Sequence, residues 1–184
     1  HALVDLGVRR LLVVDLDLHG GNGTRRLFAD DPTVYTFSIH NDHWGDTEAV
    51  ASTSIALGSG VGDGLFLSTL REALPPVFEA VQPGLVVYLA GTDPAEDDPI
   101  GNWRLTAGTF IERDRFVTSL VRTNGRPCPL VVVLAGGYGR RAWRYSARYV
   151  LWLASGRVLE PIDEEVLALR RFRRLGRPRP CQRQ

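Results

Sequence analysis

The chain has 184 residues, 44% of them hydrophobic and 23% charged, with a net charge of +1, a balance that supports a buried core and excludes an intrinsically disordered chain. No stretch reaches the roughly 18 consecutive apolar residues of a membrane span, and the N-terminus lacks the apolar core and cleavage site of a secretory signal, so a cytoplasmic protein without a membrane partner is expected. The two cysteines, Cys128 and Cys181, form no CxxC pair, which excludes a disulfide framework and a cysteine metal knuckle.

The opening HALVDLG, residues 1 to 7, reads as the end of a helix stopped by Gly7. With the absence of methionine, this suggests that further sequence precedes His1. Short apolar runs follow at 11 to 14 (LLVV), 34 to 39 (VYTFSI), 85 to 89 (LVVYL) and 130 to 134 (LVVVL). They are continuous rather than alternating, as strands covered on both faces are. Helical periodicity lies between them: 65 to 81 with Leu67, Leu70, Leu74, Phe78 and Val81, where Pro75-Pro76 predicts a kink or split, and 106 to 122 with Phe110, Phe116, Val117 and Leu120. A last helix is predicted over about 140 to 154, with Trp143, Tyr149, Val150 and Leu153, stopping near Gly156. Strands alternating with helices predict an α/β fold with an open, mostly parallel sheet and helices on both faces. In such sheets ligands gather at the carboxyl ends of the strands. Residues 157 to 184 are expected to form an arginine-rich tail, since 170 to 184 hold seven arginines and no acid.

That rule directs attention to LLVVDLDLHGGNGT, where alternation along extended backbone places Asp15, Asp17 and His19 on one face. Burying carboxylates without compensation is costly, so a bound cation or dense hydrogen bonding is required. The alternative to a metal is a strand terminus whose aspartates cap the following helix. LVVYLAGTD places Asp93 just beyond another strand end, and PLVVVLAGGYG does the same for Tyr138, beside Gly136 and Gly137, which let backbone approach a ligand. An Asp, His, Asp set suits zinc or iron(II) and leaves positions open for water and a substrate oxygen. A nearby tyrosine hydroxyl can donate to an oxyanion, and amide hydrolysis is the natural reaction class.

DLDLHGGNGT resembles the metal-binding strand of the histone deacetylase family, whose usual form is D-x-D-x-H-H-G-N-G-T. SIH at 38 to 40, AGTDPAEDDPIGNWRLT at 90 to 106 and LAGGYG at 134 to 139 resemble its next strand, its third-ligand segment and its tyrosine segment, in order, over residues 1 to about 155. AGTDP followed by ERDR at 112 to 115 is most similar to bacterial class IV-like members. The resemblance implies an arginase/deacetylase-like fold with its N-terminal part missing: residues 1–156 as the C-terminal half of a catalytic domain. It implies Asp17, His19 and Asp93 as ligands of zinc (or iron(II)), Tyr138 as the catalytic hydrogen-bond donor, and Asp15 with the Ser38 hydroxyl at a structural monovalent cation, potassium. His40 and His43 correspond to no family ligand.

Two departures stand out. Gly20 replaces the family's second histidine, and the paired histidines that act as general base and acid lie upstream in the family. The expected function is hydrolysis of an acetylated amine, foremost ε-acetyl-lysine of a protein, with this chain inactive by itself. Acetylpolyamine deacetylation and an inactive fragment acting as an interaction module are the alternatives. The run Glu96, Asp97, Asp98 reads as a solvated loop rim, and the arginine tail as solvated rather than bound to nucleic acid. Nothing in the sequence fixes an oligomeric state.

Overall fold

The computed structural model describes residues 5–42, 48–123, 125 and 128–158. Five strands, β1 (Leu11–Asp15), β2 (Val34–His40), β3 (Ser52–Ala56), β4 (Leu85–Leu89) and β5 (Leu130–Val133), form one sheet in the order β3-β2-β1-β4-β5. Every pairing is parallel, as the continuous apolar runs imply. All five residues of the central β1 are buried.

The helices are α1 (Asn22–Leu27), α2 (Asp63–Val81), α3 (Ala107–Thr123) and α4 (Ala142–Ser155). Leu12, Val14, Phe37, Val86 and Tyr88 build the main core with Phe66, Leu70 and Leu74 of α2, Phe110 and Val117 of α3, and Tyr145 and Tyr149 of α4. The opposite face is lightly covered: Leu11, Val13 and Val34 are buried there, with Phe28 at the end of α1 packed on them.

Three expectations change in detail. The segment over α2 runs unbroken through Pro75 and Pro76. The carbonyls that lose their partners belong to Arg71 and Glu72, four residues earlier, both exposed and open to water. In α4 the buried face is Tyr145 and Tyr149, while Trp143 and Val150 are 53% and 54% exposed. Each tyrosine buries its ring and keeps a polar partner, Tyr145 on Asp97 and Tyr149 on Thr118. β3, STSIA, carries no apolar run; it is a half-buried edge strand held by Tyr35 on Thr53 and Thr36 on Ser52 across the β2 pairing. Gly7 and Gly156 both take the left-handed backbone expected of helix stops, with φ of 71° and 70°. Residues 1–4 of the first expected helix end, His43 and nearly all of the arginine-rich tail lie outside the described residues.

This topology sets the location of a site. The chain runs outward from β1 to β2 and β3, then returns to the other side of β1 as β4, so the order reverses between β1 and β4. A crevice opens at such a switch point, outside the carboxyl ends of the two strands.

Candidate metal centre

Asp17 and His19 leave the end of β1 at this reversal, and Asp93 follows β4. One ligand atom from each of the three lies within 4.8 Å of the others. The aspartates do not cap α1, whose N-cap is Gly21 with no side-chain hydrogen bond. Instead they organise the turn leaving the strand: Asp17 accepts from the backbone N–H of His19 at 2.7 Å, and Asp15 from that of Asp17 at 3.2 Å.

Asp93 is fully buried. Its Oδ1 accepts the N–H of Leu18 at 3.1 Å, which turns Oδ2 toward the cluster, 3.1 Å from His19 Nδ1. That approach lacks hydrogen-bond alignment, and Oδ2 is a buried oxygen without a hydrogen bond. A buried carboxylate oxygen in that condition calls for a cation. The His19 side chain is 33% exposed, so the cluster opens to solvent on its imidazole side. Three donors of mixed N and O type, one orphaned and buried, fit a zinc-type ion with coordination positions left over.

Space for Asp93 comes from glycine. A Cβ on Gly136 would collide with the Asp93 carboxylate, and one on Gly91 with the Asp17 side chain. Gly136 therefore serves the carboxylate, where the sequence suggested approach to a ligand.

Electrostatics follow from the crowding of acids. Burial, then the neighbouring Asp17, push Asp93 up to about 6. The same two causes push Asp15 up to about 7. Both would ionise near 3.8 in an unfolded chain. In metal-free protein the stabilisation from holding these groups protonated is therefore complete below 3.8 and is lost as pH rises through about 6 and then about 7. Thermal midpoints measured in chelator should show this fall, and Asp93→Asn should remove its share. A variant with the parent's pH profile would contradict the assignment.

Asp15 stands apart from the three-ligand cluster. It lies opposite Ser38 in the β1/β2 register, but the Ser38 hydroxyl accepts a hydrogen bond from Arg25 at 3.0 Å. His40 is buried at the end of β2, within hydrogen-bond distance of the Ser54 hydroxyl (2.8 Å) and the Asp42 carbonyl (3.0 Å). Tyr138 follows β5 and is 57% exposed, anchored by its backbone N–H on Asp98 at 2.7 Å.

Asp98 corrects the reading of a solvated acidic rim. It is buried, and its carboxylate accepts the N–H groups of Ile100, Gly101, Tyr138 and Gly139, tying the loop after β4 to the loop of Tyr138. Glu96 alone of that run is exposed. A second positioning group is Arg113 on α3, fully buried beside Asp114. Its NH1 donates to the carbonyls of Leu16 at 3.2 Å and Gly91 at 2.7 Å, one on each ligand-bearing loop, and the Tyr88 hydroxyl donates to Asp114 at 2.5 Å. The ERDR segment marked the spot in the sequence but not its role.

Residues 1–154 match the family model for the histone deacetylase domain. The chain belongs to the histone deacetylase family. Among histone deacetylase relatives it is 31% identical to histone deacetylase 2 of Arabidopsis thaliana over 150 residues, 79% of this chain and 38% of that protein. It is 35% identical over 133 residues to an uncharacterized protein of Picosynechococcus sp., covering 72% of this chain and 44% of that one. The crystal structure of a histone deacetylase homolog complexed with SAHA superposes with a TM-score of 0.75 at 25% identity, over 93% of this chain and 48% of that one. The HDA15 HD domain gives a TM-score of 0.69 at 25% identity, over 85% and 49%. The chain thus spans less than half the length of these relatives, and the open, parallel α/β architecture expected from the sequence is that of the deacetylase fold.

Proposed function

We propose that the protein carrying this chain is a cytoplasmic, metal-dependent deacetylase that hydrolyses an acetylated amine, foremost ε-acetyl-lysine of a protein. The observation that carries the reading is the convergence of Asp17, His19 and Asp93, with a buried carboxylate oxygen left unbonded, at the switch point of a histone deacetylase fold. Zinc, or iron(II), is the ion such a set would hold. When bound it supplies Lewis acidity for the acetyl carbonyl and for water. Within the chain, Leu18 N–H fixes the Asp93 carboxylate, the Asp17 carboxylate is fixed by the His19 N–H, and Asp98 holds the backbone of Tyr138. The Tyr138 hydroxyl is the donor to the oxyanion that develops on the substrate.

The test is acetate release from an acetyl-lysine peptide by the full-length protein. Turnover abolished by chelator is expected, and the absence of any chelator-sensitive release would overturn the reading.

Residues 1–184 by themselves are expected to give no turnover. Among the described residues, the candidate groups named here are committed: His40 to Ser54 and Asp42, Asp97 to the Tyr145 hydroxyl, and Asp98 to backbone N–H groups. Without a base and acid, a contribution of about 10² to 10⁴-fold is missing. Robust, chelator-sensitive turnover by this segment would overturn the expectation that it lacks a base.

A further inference from the structure

We infer that the Arg25 guanidinium is a tethered internal cation that takes up the Ser38 hydroxyl where the resemblance places a monovalent metal ion, so that the metal strand of this protein does not depend on potassium.

Arg25 lies on the short helix α1, yet is only 3% exposed. The guanidinium donates from NH1 to the Ser38 hydroxyl at 3.0 Å. That hydroxyl is the side-chain oxygen a potassium ion would need opposite Asp15, and the parallel register places Ser38 directly across from Asp15. Both the Asp15 carboxylate and Arg25 NH1 flank the position of a Cβ on Gly21, at 2.8 and 3.8 Å. Carboxylate and guanidinium therefore both border Gly21, without forming an ion pair.

The other half of the observation is Gly20, where the family carries a histidine. The point at which a Cβ would project from Gly20 is 3.6 Å from Arg25 NH2. A Cβ there would touch the guanidinium at ordinary contact distance, and a longer side chain in that direction would compete with it for space. Gly20 and Arg25 are complementary departures: one removes bulk, the other delivers charge. A guanidinium is permanently charged and presents several donors in a fixed plane, so it satisfies the Ser38 hydroxyl and brings a positive charge near the Asp15 carboxylate without a metal ion. A second cation in the same pocket would meet like-charge repulsion with little water to screen it.

The test compares thermal midpoints of the full-length protein in potassium chloride and tetramethylammonium chloride at equal ionic strength, beside Arg25→Ala. The parent is expected to show the same midpoint in both salts. In Arg25→Ala the vacated pocket accepts potassium, which should raise the midpoint by about 4 °C or more over tetramethylammonium. Thallium(I) soaked into crystals of the parent provides a second measurement, with no anomalous peak expected between Asp15 and Ser38. A potassium-specific rise in the parent, a thallium peak at that position, or an Arg25→Ala variant that folds with equal midpoints in both salts would each overturn the inference. If Arg25→Ala does not fold, the two measurements on the parent decide alone. None of these readouts uses turnover or zinc, so they stand or fall apart from the deacetylase reading.

Discussion

Replacing His19 with alanine is expected to remove stoichiometric zinc from the purified protein. The imidazole is the only nitrogen donor of the cluster, and losing one of three ligands leaves two carboxylates that bind a zinc-type ion weakly. The loss in affinity should reach about a hundredfold or more, by analogy with the smaller effects of disturbing even the partners of ligands. His19 is the informative position because its side chain is 33% exposed, so truncation opens little cavity in the core. Asp93→Ala is less clean: the carboxylate also accepts the Leu18 N–H in a fully buried setting, and its loss disturbs folding as well as binding. Asp17→Ala should also lose the metal. Metal analysis beside a thermal melt separates the causes. Undiminished zinc in both His19→Ala and Asp17→Ala would refute the ligand assignment.

Tyr138→Phe should keep the metal and the fold while turnover falls by about a hundredfold or more, the usual consequence of deleting an oxyanion donor. The fold is expected to hold because the residue is anchored through its backbone N–H on Asp98, which phenylalanine retains. With kcat reduced and metal content unchanged, the defect would lie in the chemical step. Parental turnover on an acetyl-lysine peptide would remove Tyr138 from this role.

Much of the architecture was legible because the interior strands are covered on both faces and write unbroken apolar runs into the sequence. β3 escaped notice because serine and threonine pairs hold it to β2 in place of apolar ones, whereas β5, at the other edge, keeps an apolar run. The rule that ligands gather at carboxyl strand ends was enough to single out Asp17, His19 and Asp93, which the fold brings together. The residues that hold these groups in place were far less legible. Arg113 and Asp98 are charged, and charge in a helix or an acidic run reads as solvent-facing. Both are buried because backbone groups from separate segments converge on them, and no local pattern encodes that convergence. Arg25 escaped for the same reason, since it is buried beside Gly20 and on a hydroxyl of the neighbouring strand, which no local pattern encodes.

The Arg113 clamp has a consequence for anyone seeking to transplant the metal strand. Grafting DLDLH and the Asp93 loop onto another parallel sheet would carry the ligands but leave behind the ruler that spaces them. In this protein a single guanidinium, delivered by α3 and touching neither strand's ligands, grips the carbonyl of Leu16 just before Asp17 and that of Gly91 two residues before Asp93. A workable graft therefore needs the helix as well, with the Asp114 carboxylate that partners the guanidinium and the Tyr88 hydroxyl that partners Asp114 in turn.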